Sequence, residues 1–148
     1  MHRMSANIED RLQSLLRGEI AAAETYNQVL EDRQDGEQPE QALRELQRDH
    51  GRAIRFLTDQ LDKLGVEAPA QSGVWGQFAR LVEGGAKMLG DKAALAALRE
   101  GERRGLDDYS DAVQAGNLPP DCRAYIEHEL LPAQRRHIEK LDRLMQSA

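Results

Sequence analysis

The sequence predicts an all-α fold: a four-helix bundle built from two helical hairpins joined by one long crossover. Three features lead there. Val, Ile and Thr, which favour pleated strands, total only 12 of 148 residues, while Ala, Leu, Glu, Arg and Gln dominate. Gly and Pro fall in a few places and leave long stretches between them. Within those stretches apolar residues recur every three or four positions, as on a helix with one buried face. A chain of this length is expected to form one domain, 1–148, divided into a hairpin 7–65, a crossover 66–90 and a hairpin 91–148.

The first helix is expected to open at Asn7, a residue type that caps helix N-termini, and to stop in the polar cluster 31–39, where Gly36 and Pro39 break the pattern. The second follows Pro39 and ends at Gly65, with Lys63 in its last turn and Pro69 just beyond. The crossover has an amphipathic piece of its own, with Val74, Trp75, Phe78, Leu81 and Val82 ahead of Gly84 and Gly85. This extra short helix is expected to lid one end of the bundle or, failing that, to contact a second copy, a dimer being the favoured oligomer. The third helix opens at Asp91 and stops at Gly116; the fourth starts at Pro119 or Pro120 and should kink at Pro132.

Composition excludes several function classes. A net charge of -6 and a pI near 5.3 come without the concentrated basic face that phosphate binding needs, so no nucleic acid is expected. The arginines are interspersed with Glu and Asp, as on a solvated helix surface. The longest clean apolar run, Ala93 to Leu98, is far short of the ~20 residues of a membrane span. The first twelve residues lack the apolar block of a secretory signal, and the single Cys122 offers neither a disulfide nor a CxxC zinc motif. A cytoplasmic protein is therefore expected, with His2 and His128 on its surface.

Each apolar stripe has one polar interruption. The first runs Ile8, Leu12, Leu15, Glu19, Ala22, Tyr26, Val29; the second runs Leu43, Leu46, His50, Ala53, Leu57, Leu61, Leu64. The third is Leu95, Leu98, Glu102, Leu106, Tyr109, Val113, and the fourth is Cys122, Ile126, Leu130, Ala133, His137, Leu141, Leu144. Two carboxylates and two imidazoles thus point inward. An unpaired buried carboxylate costs several kcal/mol, so these groups need partners, and Glu oxygen with His nitrogen suits Fe, Mn or Zn.

The halves also repeat. Gly18-Glu19 with Tyr26 matches Gly101-Glu102 with Tyr109, and Gln47 with His50 matches Gln134 with His137. A tyrosine seven residues after a glutamate lies two turns on along the same face, about 10 Å away. From there its hydroxyl can reach a carboxylate of the opposing helix.

On these motifs the chain resembles the ferritin-like superfamily, in which Glu with a downstream Tyr on two helices and Glu-x-x-His on the other two hold a dinuclear metal site. The Gly-Glu hairpins, the Gly-Val-Trp crossover and the Leu-Pro-Pro start of the last helix more closely resemble a bacterial ferritin-like family catalogued as a domain of unknown function. The resemblance implies a ferritin-like four-helix bundle. It also implies metal ligands at Glu19, His50, Glu102 and His137, with Tyr26 and Tyr109 outside them; Gln47 and Gln134, this chain's own, are expected beside the same ligands. The cofactor implied is Fe, with Mn or Zn as alternatives, and the chemistry is oxygen or peroxide reactions or metal handling.

The chain departs from that pattern at the bridging glutamates, where it has Gln47 and Gln134. A neutral amide bridges two cations poorly, and two divalent ions against two carboxylates would leave +2 in a low-dielectric interior. A mononuclear or weakly occupied site is thus at least as well supported as a dinuclear one, unless Glu24, Glu45, Asp49, Asp107 or Glu127 turns inward. Register raises a second question: Glu102 lies 14 residues before Gly116, and His137 lies 18 after Pro119. If nothing absorbs that offset of about 6 Å, Glu127 rather than His137 stands level with Glu102. The reading from another class is a metal-free helical scaffold or stress-related interaction protein.

Overall fold

The computed structural model describes residues 2–31, 38–70 and 91–147, with side chains for 7–31, 39–70 and 92–147. No strand forms among them. Helices α1 (His2–Glu31), α2 (Gln38–Lys63), α3 (Asp91–Ala115) and α4 (Pro120–Tyr125) are followed by a π-helical turn, Ile126–Leu130, and α5 (Leu131–Ser147). The last three run on as one continuous helical rod, so the architecture is a four-helix bundle. Helix α1 packs along α2, α3 packs along α5, and α1 also packs against α3. The expected crossover helix around Trp75 and Phe78, and the dimer contact through it, lie outside the described residues.

Helix ends follow local chemistry. Helix α2 closes in a Schellman motif, with Val66 N–H donating to Leu61 O and Gly65 N–H to Asp62 O, both at 3.0 Å. Gly65 takes φ +72° there, and Gly116 takes φ +75° beyond α3; both are left-handed conformations that glycine adopts without strain. Pro119, with φ -55° and ψ 143°, stands just outside α4 and accepts the Arg123 N–H at 2.9 Å, while Pro120 occupies the first turn.

Four expectations need correction. Helix α1 starts at His2, five residues before Asn7, because a cap-type residue permits a helix start but does not force one. Nothing in 2–6 breaks a helix. Leu64 is 40% exposed, since the α2 stripe runs past the end of the helix. On the last helix Gln134 is buried and Ala133 only half-buried. The π turn is the reason. Pro132 has no N–H to give its preceding turn, and Leu131 N–H reaches back five residues to Ile126 O. One extra residue is thereby taken up, so Ile126 and Leu131 share the buried face, followed by Gln134, His137 and Leu141. Instead of the kink expected at Pro132, the helix takes in an extra residue at this turn, which absorbs one residue of the register offset.

The core has two apolar layers. One gathers Leu12, Leu16, Leu57, Leu61, Cys122 and Ile126; the other gathers Leu30, Leu43, Leu46, Leu95, Leu98 and Leu141. Each fully buried leucine contributes about 1.5–3 kcal/mol. The four polar interruptions fall in the stripes between these layers, out of reach of bulk water.

Candidate metal centre

Glu19, His50, Glu102 and His137 are all buried, at 5% exposure or less, and hydrogen bonds bring them together. His50 Nδ1 lies 2.6 Å from Glu19 Oε2, and His50 Nε2 lies 2.5 Å from Glu102 Oε1. His137 Nδ1 lies 3.1 Å from Glu102 Oε2. The two imidazole rings are 5.1 Å apart. Thus His137, not Glu127, stands level with Glu102; Glu127 is tied to Arg123 on the exposed side at 2.7 Å.

The tyrosines cross between the hairpins. Tyr26 donates to Glu102 Oε1 at 2.7 Å, and Tyr109 donates to Glu19 Oε1 at 2.6 Å. Each hydroxyl thus holds the carboxylate of the opposite half. Burial, and then the carboxylate it faces, pushes each phenol well above its ordinary pKa of 10.0, so both keep their protons.

Electrostatics favour charged partners. Burial pushes the Glu102 carboxyl up, but the His50 charge and the bonds from His137 and His50 outweigh it and hold the group well below the usual carboxylate range. Burial opposes the charge on His50, yet Glu102 and Glu19 on either side raise its pKa well above 6.5. Without a metal, His50 is therefore an imidazolium clamped between two carboxylates.

The two glutamines serve the frame. Gln134 Nε2 donates to the Glu102 carbonyl at 3.0 Å, and Gln47 Nε2 donates to the Ala23 carbonyl at 3.3 Å. Gln134 fits because residue 105 is glycine: a Cβ there would lie 2.5 Å from Gln134 Nε2.

Asp49 is the carboxylate that the sequence left among five alternatives. Its Oδ2 lies 2.9 Å from His137 Nε2, and Arg52 pairs with its Oδ1. Burial opposes ionisation of Asp49, but the bond from His137, its charge and Arg52 lower the pKa below the ordinary 3.8. Glu24, Glu45 and Asp107 are exposed. The repeat itself distinguishes Asp49: Gln-Arg-Asp-His in one hairpin stands against Gln-Arg-Arg-His in the other. His128 is exposed as expected. Cys122 is buried, which pushes its thiol up to about 11 and leaves it unreactive.

The arrangement fits a metal ion. One donor atom each from His50, Glu102 and His137 lies within 4.8 Å of the others; bonds of about 2.1 Å need donors no more than about 4.2 Å apart, so the side chains close in by a few tenths of an ångström around an ion. Nitrogen and carboxylate oxygen in a buried cluster suit Fe, Mn or Zn.

Neither a protein-family model nor a curated protein matches the chain. Among solved structures, one from Bacillus anthracis strain Ames, described as a ferritin like, diiron-carboxylate protein, matches with a TM-score of 0.76. It covers 98% of this chain and 99% of that one, at 16% identity. No described helix is long and apolar enough to cross a membrane. At that identity the likeness is one of architecture: this chain has the ferritin-like helical-bundle fold.

Proposed function

We propose that the protein binds a transition-metal ion between its helices, iron before manganese or zinc, at the centre formed by Glu19, His50, Glu102 and His137. The observation that carries this is the convergence of His50, Glu102 and His137 donors in a buried layer of the bundle. The diiron-carboxylate description of the solved structure with the same fold supports iron. The closer resemblance to the bacterial domain-of-unknown-function family belongs to the same proposal and rests on the Gly-Glu, Gly-Val-Trp and Leu-Pro-Pro motifs; an intracellular setting is proposed with it, on the single Cys122 that can form no internal disulfide.

A bound Fe or Mn ion supplies one-electron chemistry toward dioxygen or peroxide, or a place of transit for the metal. The chain's own residues orient donors, exclude water and hold protons. Glu102 is fixed by Tyr26 and both histidines, and Tyr26 and Tyr109 keep phenolic protons beside the two glutamates. Elemental analysis of protein purified without added metal tests the proposal. Near-stoichiometric metal is expected, with loss in Glu102→Gln and His137→Ala; no metal in the wild-type protein refutes it. We also propose a homodimer, which sedimentation checks.

One observation favours a metal-free scaffold. Among the described residues, the buried side-chain atoms without partners are Arg11 Nε, Gln28 Oε1, Arg99 Nε and Asn117 Oδ1, and none belongs to the centre. The carboxylate–imidazole network can satisfy itself, so the same analysis decides between the two readings.

A further inference from the structure

The hydrogen bonds of the centre form a linear chain that alternates carboxylate and imidazole. Glu19 meets His50 Nδ1, His50 Nε2 meets Glu102, Glu102 meets His137 Nδ1, and His137 Nε2 meets Asp49. Glu102 is the middle member. Each histidine turns one nitrogen to it and gives the other to a carboxylate of its own. Metal-bound imidazoles are held this way: the free ring N–H donates to a carboxylate that fixes the ring and raises its basicity.

On the reading that the centre holds metal, we infer that it holds one ion, ligated by His50 Nε2, Glu102 and His137 Nδ1. Glu19 and Asp49 are then positioning residues that act through the outer nitrogens of the two histidines. Three features converge on this. The mutually close donor group comprises His50, Glu102 and His137, without Glu19 or Asp49. In the ferritin-like pattern that the sequence resembles, the bridging carboxylates of a two-ion site fall at the positions of Gln47 and Gln134, whose amides here donate to helix carbonyls. Finally, Asp49 has no counterpart in the repeat, where Arg136 stands, yet it gives His137 what Glu19 gives His50. Arg52 takes its Oδ1, leaving Oδ2 for the imidazole. Two histidines and one carboxylate on an ion leave coordination positions open for water or a small ligand. This differs from a dinuclear carboxylate centre in both ion count and ligand set.

Anaerobic titration with Co2+, followed by its visible absorption, tests the assignment. Wild-type protein should saturate at one equivalent per chain, and Glu102→Gln and His137→Gln should take up none. Glu19→Gln and Asp49→Asn should still saturate at one equivalent with a shifted spectrum and affinity weakened about 10- to 100-fold, and Asp49→Glu should recover part of the loss. Saturation at two equivalents in the wild type overturns the inference and leaves metal binding intact. Complete loss of uptake in folded Glu19→Gln, or unchanged affinity in Asp49→Asn, overturns the assigned roles. Should Glu19→Gln fail to fold, Asp49→Asn carries the test, because that side chain is 30% exposed. No uptake by the wild type overturns metal binding and this inference together.

Discussion

The two hairpins contain the same motifs and use them differently. In the second, Gly105 lets Gln134 lie against α3 and tie α5 to the Glu102 carbonyl. The matching residue in the first hairpin is Ala22; there Gln47 is half-buried and bonds a carbonyl one turn farther on, at Ala23. The histidines differ as well. His50 lies between two buried glutamates, whereas His137 has Glu102 on one side and the partly exposed Asp49 on the other. A repeated sequence therefore gives matching residues different settings: Gln134 is buried where Gln47 is half-buried, and His137 meets a partly exposed carboxylate where His50 meets two buried ones. The differences trace to two residues, Gly105 and Asp49.

The largest effect is expected from Glu102→Ala, which removes the group shared by both halves. It leaves His50, His137 and Tyr26 without their common partner, and breaking a buried charged pair costs about 3–5 kcal/mol. In a chain of this size that lowers Tm by roughly 10 °C, which thermal denaturation followed by circular dichroism measures. Next comes Gly105→Ala, whose Cβ would displace the Gln134 amide and its buried bond to the Glu102 carbonyl, a loss of about 1–3 kcal/mol offset by about 1 kcal/mol of helix propensity. The reciprocal Ala22→Gly should cost no more than about 1 kcal/mol, the ordinary penalty of glycine inside a helix. Equal losses in these two variants would remove Gly105 as the source of the asymmetry.

A smaller effect separates the tyrosines. Glu102 keeps two imidazole partners without Tyr26, whereas Glu19 keeps only His50 without Tyr109 among the bonds that hold it. Tyr109→Phe should therefore destabilise more than Tyr26→Phe, both by about 1–2 kcal/mol, in urea denaturation. The reverse order would contradict the bond pattern.

The mildest perturbation is pH, applied to metal-free protein. The lowered pKa of Glu102 gives stability that is present above the ordinary 4.5 and lost as pH falls through the folded value. The raised pKa of His50 gives stability that is present below 6.5 and lost as pH rises through its folded value. Stability should therefore peak between those two values, and the urea midpoint should fall from pH 5.5 to pH 9. A midpoint that rises over that interval would contradict the imidazolium assignment.

Much of this architecture is legible in the sequence, because a period of three to four residues fixes which side of a helix faces inward. Glu19, His50, Glu102 and His137 each interrupt such a stripe, and each is buried. The crossed tyrosines are legible for the same reason, since seven residues make two turns. The π turn is not, because a missing N–H at Pro132 signals a disturbed helix without saying whether it bends or gains a residue. That choice decides whether Ala133 or Gln134 faces the core. Asp49 is harder still: next to His50 on α2, it lies off the buried stripe, and only the approach of α5 brings it to His137.

The most direct test of the metal centre is anomalous diffraction at the iron edge from crystals grown anaerobically with Fe2+. One peak within bonding distance of His50 Nε2, Glu102 and His137 Nδ1, absent from Glu102→Gln crystals, is the predicted result. An empty difference map there, with the carboxylate–imidazole chain unchanged, would contradict it.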